Sequence, residues 1–504
     1  MTAKTIKEYE KALCENGIRI MKDAGSDVPV TSITYNSKEA IAGTMFVCKG
    51  AHFKESYLEE AVSRGAVCYI SEKAYSNVPG CDSIIVDDIR AAMPVIAECF
   101  YGKLYEKLHM TGITGTKGKS TTAYFLRQIL DDYMDASGGK KSAICSGIDN
   151  YDGVINEESH LTTPEIMELY KHMSNAVQSG IEYMTMEVSS QALKYGRVEG
   201  IDYEVACFLN IGSDHISPIE HPDFEDYFGS KLLIFKQCRK ACVNLDCEGQ
   251  EKLKEAVSAA PEIITFSQKD PAANVFAKDI ISNEGRVSFT AAVQGINGYA
   301  DTEFEIKLAS FGKINVENAI ASVALAVALG IPSEFIVSGL SKAVAPGRME
   351  VFRSDDGKKI VLVDYAHNKL SFEALFENIS NEFPSRDISI VFGAPGGKAL
   401  SRREELGSLA GKHCAVSYLT EEDPGEEDNL KICNELAGFV KASGGTFEVI
   451  PDRGDAIRKA INDAGENRIV IVAGKGRETR IKRGTVYVDA PSDVELVKAA
   501  LSGN

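Results

Sequence analysis

The stretch Gly112-Ile113-Thr114-Gly115-Thr116-Lys117-Gly118-Lys119-Ser120-Thr121 constrains this chain more than any other. The apolar run HMTGIT predicts a strand that feeds it, and a helical pattern opens near Thr121. A strand entering a glycine-rich turn and then a helix aims several backbone N–H groups and a positive helix end at one point. That is the geometry of a phosphate site. Lys119 is placed to reach the β- and γ-phosphates of a nucleotide, and the Ser120 hydroxyl to bind Mg2+. The spacing is not a strict G-x-x-x-x-G-K-[ST], because Ile113 stands where the first glycine would fall. The remaining compact G-T-x-G-K-S-T reads as an ATP or GTP loop without naming a reaction. A glycine-rich turn with incidental Lys and Ser is the plainer alternative.

Around this loop the chain divides by rhythm. Residues 1–105 interleave short apolar runs (VPVTSITY, GTMFVC, AVCYIS, SIIVDD) with turn residues, and close on the helix-like RAAMPVIAECFYGKLYEKL. From His109 the runs IEYMTMEV, VACFLNI and ACVNLD alternate with helical stretches, which predicts a mostly parallel sheet with crossover helices. RVSFTAAV and TEFEIKLA alternate polar and apolar positions, as antiparallel strands do. Pro346 and Gly347 in AVAPGRME break a helical pattern, after which KKIVLVDY, DISIVFG, CAVSYLT, TFEVI, RIVIVAG and VYVDA predict a second α/β rhythm. The expectation is an α/β chain of three domains: a small α/β domain (1–105), a central P-loop-type domain with a mostly parallel sheet (106–345) and a Rossmann-like domain (346–504).

Composition excludes more than it names. With 55 Lys+Arg against 73 Asp+Glu, the formal net charge of −18 argues against a nucleic-acid binder. No apolar run reaches the roughly 18 residues that span a bilayer. The charged, periodic start MTAKTIKEYEKALCENG lacks the apolar core of a signal peptide. Twelve irregularly spaced cysteines in 504 residues read as reduced thiols of a cytoplasmic protein.

The loop Gly115-Thr116-Lys117-Gly118-Lys119-Ser120-Thr121 resembles the GTxGK[ST]T loop of the Mur ligases, ATP-dependent amide-forming enzymes of bacterial cell-wall synthesis. Further motifs follow in that family's order: Thr162-Thr163-Pro164-Glu165, Met186-Glu187-Val188-Ser189-Ser190, Asn210-Ile211-Gly212-Ser213-Asp214-His215 and Gly229-Ser230-Lys231. After them come Asn315 to Asn318, Pro346-Gly347-Arg348-Met349-Glu350, Asp364-Tyr365-Ala366-His367 and Gly474-Lys475-Gly476-Arg477-Glu478. MEVSSxAL, APGRME, DYAH and GKGxE are most similar to the MurE, or UDP-N-acetylmuramyl-tripeptide synthetase, branch. The resemblance implies a cytoplasmic, monomeric ligase that adds a diamino acid to UDP-MurNAc-L-Ala-D-Glu, with ATP between the second and third domains.

The chemistry gives these motifs reasons. A carboxylate accepts an amine at neutral pH only after its oxygen becomes a leaving group, as in an acyl phosphate made from ATP. Phosphoryl transfer onto an anion needs Mg2+ and fixed cations. Ser120 and Glu187, beside strand ends, suit Mg2+, which prefers oxygen. His215, by itself a structural hydrogen-bonder as readily as a ligand, is implied to be a second Mg2+ ligand. Lys231 in FGSKLLIF, near the start of a predicted helix, reads alone as a surface or snorkelling lysine; the resemblance implies a carbamylated Lys231 holding that second ion. Asn318 is implied to face adenine, left free with Asn315 at a helix start whose core positions are Val316, Ile320, Val323 and Val327. Arg348 and Asp364 are implied on the phosphate and ribose sides.

For the acid substrate the resemblance carries over Ser37 on the uridine side, and Thr162, Thr163, Ser189 and Arg197 around the muramyl-dipeptide. Asn36 and Lys38 replace an Asp and an Arg of that pattern, Leu161 an Asn and Tyr195 a Gln. For the incoming amino acid it carries over Arg403, to the α-carboxylate, with Gly474 and Glu478. Where diaminopimelate-adding relatives carry Asp-Asn-Pro-Arg, this chain reads Glu422-Asp423-Pro424-Gly425, followed by Glu426-Glu427-Asp428. An arginine fork for a second carboxylate is replaced by acid, which suits a side-chain ammonium and favours L-lysine. The same acids would also suit the first turn of a helix. A divergent paralogue, a folylpolyglutamate synthetase-like ligase and a non-catalytic nucleotide-binding partner are the alternatives. MEVSSxAL and APGRME speak against the folate reading, and Lys119, Ser120, Glu187, His215 and Lys231 against the non-catalytic one.

Overall fold

A computed structural model describes residues 3–50, 53–76, 78–212, 220–398 and 400–502. The chain forms two compact units, one of Met1–Lys119, Leu130–Phe266 and Ala324–Ile331, the other of Ser120–Ile129, Ser267–Val323 and Pro332–Asn504. No helix among the described residues is long and apolar enough to cross a membrane.

The first unit begins with a five-stranded sheet in the order Ile20–Lys22, Asp82–Val86, Ala66–Ser71, Thr44–Val47, Ser32–Thr34, parallel except for its first pair. Strand periodicity sorts its apolar residues. Met45, Val47, Cys68, Ile70, Ile84 and Val86 join the core that contains helices Ile6–Glu15 and Ile89–Tyr101, while Phe46, Tyr69 and Ile85 pack with helix Glu55–Ser63. A larger sheet follows, with neighbours Glu262–Ser267, Cys238–Asn244, Tyr203–Phe208, His109–Thr114, Tyr183–Glu187 and Ala143–Cys145, all parallel. Two short antiparallel strands, Asp149–Tyr151 and Asn156–Glu158, extend it. The strand that feeds the glycine-rich loop is thus central, and Glu187 pairs with Ile113 across one of its edges. Ligands of parallel sheets gather at such carboxyl ends. Gly112 is required by packing: a Cβ there would lie 2.9 Å from the Tyr203 ring.

The second unit contains the antiparallel meander Val275–Asn283, Arg286–Val293, Thr302–Lys307, as the alternation predicted. Its main sheet runs Glu350–Arg353, Ile360–Asp364, Arg468–Ala473, Asp387–Phe392, Val416–Leu419, Phe447–Val449, parallel after the first antiparallel pair. Both faces are covered. Leu362, Ile390 and Ile471 pack with Phe372 and Leu436, and Val361, Val391 and Val472 with Ile457 and Val497. One run departs from the expected rhythm. VYVDA is not a further strand of this sheet but half of a hairpin, Arg480–Arg483 with Val486–Asp489, closed at Gly484 (φ +63°) and exposed along its second strand. The fold is the mixed, mainly parallel α/β class that the alternation predicts.

Candidate active site

The glycine-rich loop is held by its neighbours. Gly115 (φ +154°) passes so near the next strand's exit that a Cβ would lie 2.9 Å from Leu209 Cβ. The N–H groups of Thr116 and Lys117 donate to the carbonyl (3.1 Å) and side-chain oxygen (2.9 Å) of Asn210. Gly118 in the left-handed region (φ +86°) starts the helix at Lys119, two residues earlier than its pattern announced, so Ser120 and Thr121 lie in its first turn. Lys119 Nζ donates to the Gly115 (2.9 Å) and Thr116 (3.2 Å) carbonyls. Lys231 Nζ donates to the same Gly115 oxygen at 3.0 Å, buried over the Tyr227 ring at 4.6 Å. Two ammonium groups therefore rest on one carbonyl of the loop. Lys231 stands near the end, not the start, of its helix, Phe224–Leu232, because Asp223 caps that helix by accepting from Asp226 N.

One strand away, Glu187 is buried and its Oε1 accepts from Gly147 N at 2.7 Å. Thr163 Oγ1 donates to the Glu187 carbonyl (2.9 Å) and accepts from Ser189 N (3.0 Å), while Ser189 Oγ accepts from Ala192 N and caps helix Ser190–Lys194. The Thr162 hydroxyl lies beside Gly147, where a Cβ would be 3.5 Å away. Arg197 pairs with Glu165 at 3.1 Å and Lys49 with the same carboxylate at 2.7 Å. With Arg90, whose guanidinium lies 4.5 Å from the Tyr195 ring centroid, they line a cavity of about 140 Å³. Glu187, Thr163 and Ser189 are thus brought together, and Arg197 shares the lining of that cavity with Lys49, Arg90 and the Glu165 carboxylate that pairs with both Arg197 and Lys49. Ser37 stands apart: it is buried and donates to Glu60 at 2.7 Å, holding that carboxyl below its usual range. His215 lies outside the described residues.

In the second unit, Asn318 Nδ2 donates to Asn315 Oδ1 (3.1 Å) and its Oδ1 accepts from Thr122 Oγ1 (3.4 Å). Asn315 Nδ2 in turn donates to the Phe311 carbonyl. The pair expected to be free is therefore already bonded, because each side chain reaches groups at the helix start. The carboxylate of Asp364 accepts from the N–H groups of Met349 and Ala366, both at 2.8 Å, and stabilises the left-handed Met349 (φ +46°). The Arg348 guanidinium lies 4.3 Å from the Tyr365 ring centroid, and the Tyr365 hydroxyl donates to Glu478 at 2.9 Å. Burial and that carboxylate push the phenol upward.

Glu478 and Asp423 enclose Lys475, at 2.5 and 3.0 Å. Burial opposes the charge of Lys475, yet the two carboxylates hold its pKa above the ordinary value. The acidic stretch is otherwise matched too: Glu421 meets Arg483 at 2.8 Å, and Asp428 caps the next helix. Arg403 is 3% exposed, with its guanidinium bonded to Glu427 and Glu435, both at 2.6 Å, and to the Pro395 carbonyl. Glu422 is the contrast. It is buried against Gly474, where a Cβ would lie 3.2 Å from Glu422 Oε2. Burial pushes its carboxyl up to about 7, opposed by Arg453, Lys475 and Arg402.

The Mur ligase middle domain matches residues 113–326, and the Mur ligase glutamate ligase domain matches residues 347–476. A UDP-N-acetylmuramoyl-L-alanyl-D-glutamate–L-lysine ligase of Enterococcus faecalis is 36% identical over 481 residues, covering 94% of this chain and 92% of its own. This chain belongs to the Mur ligase family. A protein of the same name from Streptococcus pneumoniae serotype 4 is 38% identical, over 90% of this chain and 89% of its own. A solved UDP-N-acetylmuramoyl-L-alanyl-D-glutamate–2,6-diaminopimelate ligase superposes with a TM-score of 0.67 at 23% identity, covering 100% of this chain and 99% of that one.

Two residues of this Mur ligase hold its site together without having been singled out from sequence. Asn210 fixes the phosphate loop through both its carbonyl and its side chain. Its place in the Asn-Ile-Gly run was visible, but nothing in that run points to position 116. Lys475 joins Asp423 to Glu478 across 52 and 3 residues of sequence, and only the sheet order, in which the strand Asp387–Phe392 alone separates Val416–Leu419 from Arg468–Ala473, reveals it.

Proposed function

We propose that this Mur ligase is a UDP-N-acetylmuramyl-tripeptide synthetase that joins the UDP-MurNAc-L-Ala-D-Glu carboxylate to L-lysine at the expense of ATP. The D-Glu carboxylate attacks the γ-phosphate to give an acyl phosphate and ADP, and the amine then displaces inorganic phosphate. Gly115, Thr116, Lys117, Gly118, Lys119, Ser120 and Thr121 cradle the phosphates. Asn318, Arg348 and Asp364 serve the rest of the nucleotide. Ser37, Thr162, Thr163, Ser189 and Arg197 serve the acid substrate, and Arg403, Glu422, Asp423, Gly474 and Glu478 form the acceptor side. The organisation is three domains divided near residues 105 and 345, in a cytoplasmic protein; that none of the twelve cysteines is in a disulfide supports such a compartment.

The metal side of the reading rests on the donors present. Ser120 and the buried carboxylate Glu187 are oxygen donors of the kind Mg2+ takes. Lys231, as the ammonium it is here, repels a cation, and fits the site only once carbamylated. His215 completes the proposed set. Mg2+, when bound, offsets the charge of ATP and of the attacking carboxylate.

The observation that carries the acceptor is Glu422, a buried carboxyl beside Gly474 that burial holds against ionisation, while Glu421, Asp423 and Glu427 nearby are each ion-paired. An incoming side-chain ammonium adds to the cations that favour the Glu422 anion, whereas a second carboxylate would be repelled. Phosphate release from ATP, measured with UDP-MurNAc-L-Ala-D-Glu and single amino acids, tests the reading. Release with L-lysine is expected. Release with diaminopimelate but not lysine overturns the acceptor, and no release with any diamino acid overturns the ligase.

A further inference from the structure

Below the turn that follows Glu187, three side chains form a line of hydrogen bonds. His221 is fully buried, with Nδ1 2.6 Å from Asp226 Oδ2 and Nε2 3.0 Å from Ser190 Oγ. Lys194, at 2.6 Å, and His221 hold the Asp226 carboxyl below its usual range, so it is an anion and an acceptor. His221 therefore donates Nδ1–H to Asp226, and Nε2 shares a hydrogen bond with the Ser190 hydroxyl. The order Asp, His, Ser matches the relay of a hydrolase, but Ser190 is 4% exposed and a nucleophile must meet its substrate. This line holds a turn in place.

It also continues. The His221 ring packs edge to face on Tyr227, centroids 5.2 Å apart. The Tyr227 hydroxyl lies 3.1 Å from Thr116 Oγ1 of the phosphate loop, and Thr116 Oγ1 accepts from Gly212 N at 3.0 Å. Asp226 and Tyr227 are adjacent on the helix Phe224–Leu232, whose last turn sets Lys231 on Gly115. The backbone ladder between the strands His109–Thr114 and Tyr183–Glu187 gives out just beyond Glu187, where Val188 N donates to Ile113 O at 2.8 Å. Past that point side chains must keep the two loops in register.

We propose that Ser190, His221, Asp226 and Tyr227 form a positioning bridge that couples the turn Glu187–Ser190 to the phosphate loop at Thr116. The proposal rests on the functional reading above, in which the turn holds the acid substrate and the loop holds ATP. None of the four touches a reacting atom. They keep the attacking carboxylate in line with the γ-phosphate, where a displacement of about 1 Å costs on the order of 100-fold in rate.

Two variants remove one hydroxyl each without opening a cavity, Ser190→Ala and Tyr227→Phe. The full chain is titrated calorimetrically with a non-hydrolysable ATP analogue, with and without saturating UDP-MurNAc-L-Ala-D-Glu, and kcat is measured beside it. The expected result is nucleotide binding alone within about twofold of the unmodified protein, kcat lower by roughly tenfold, and loss of the mutual enhancement between the two ligands. The double variant is no worse than the poorer single one, as for groups acting as one unit. His221→Gln, which keeps a polar group near Ser190, recovers part of the coupling that His221→Ala loses. Unchanged kcat and coupling in both single variants, or losses that multiply in the double variant, overturn the bridge. Unmodified protein that gives no heat with UDP-MurNAc-L-Ala-D-Glu overturns the functional reading, and the bridge's substrate end with it; that outcome is separable because it shows in every protein alike.

Discussion

The phosphate loop and the acceptor side handle charge in opposite ways. At the loop, Lys119 and Lys231 both donate to carbonyl oxygens of the loop itself, with which a phosphate, on the reading proposed above, would compete. On the acceptor side nearly every charge is matched by an opposite one: Arg403 with Glu427 and Glu435, Lys475 with Asp423 and Glu478, Arg483 with Glu421. On the reading proposed above, the loop receives a strong, invariant ligand and needs only donors poised around it. The acceptor side must, on the same reading, distinguish amino acids that differ at one end, and among its ion pairs Glu422 is the carboxyl that burial holds against ionisation despite Arg453, Lys475 and Arg402. Substitution at the loop should therefore cost rate and spare stability, and substitution in the matched network should cost stability first.

The largest effect tests the first half. Lys119→Ala should lower kcat by about 10³-fold, the loss of one fixed cation aimed at charge that develops during phosphoryl transfer, while the thermal midpoint stays within a degree or two. A midpoint lowered as much as the rate would mean that Lys119 holds the loop together, and the contrast between the two regions would fail. Arg403→Ala tests the second half. It leaves the carboxylates of Glu427 and Glu435 to Lys431, at 3.3 and 3.9 Å, and both are partly exposed, so the cost is about 2–3 kcal/mol rather than that of a fully buried pair. The thermal transition of the second unit should fall by roughly 5 °C or more. A rise in the lysine KM with no change in the transition would instead make Arg403 a ligand for the acceptor's carboxylate.

The difference between the regions also explains what could be seen in the sequence. The phosphate loop is local: a strand, four ordered residue types and a helix lie within a few positions, so 112–121 announces itself, as do the flanking parallel strands with their apolar runs. Glu187 and Ser189 were legible because their strand ends beside it. The acceptor side is non-local. Arg403 meets partners 24 and 32 residues away, and Lys475 one 52 residues back, so the same acids read equally well as a solvated helix start. His221 shows no sign in its own sequence neighbourhood of Ser190, 31 residues away. VYVDA failed for a related reason: alternation reports a strand but not the sheet it joins, and here it joins only its own hairpin.

The smallest effect probes the group on which the contrast turns. The Glu422 carboxyl is pushed up to about 7 by burial, above the unfolded value near 4.5, so the folded state favours its protonated form. The penalty is absent below about pH 4.5, grows between there and pH 7, and is complete above it. Glu422→Gln removes an ionisable group that destabilises the fold at high pH. It should therefore stabilise the free protein at pH 8 by at most ~3 kcal/mol and hardly at all at pH 5. Lysine reverses the sign, because its ammonium favours the anion. In the unmodified protein the lysine KM should fall as pH rises through about 7, and in Glu422→Gln it should be raised roughly tenfold and lose that pH dependence. Denaturation at the two pH values, set beside the KM profile, separates the effects. A variant that is more stable at pH 8 yet keeps the unmodified lysine KM would leave Glu422 a buried cost with no ligand, and selectivity would have to come from the matched network after all.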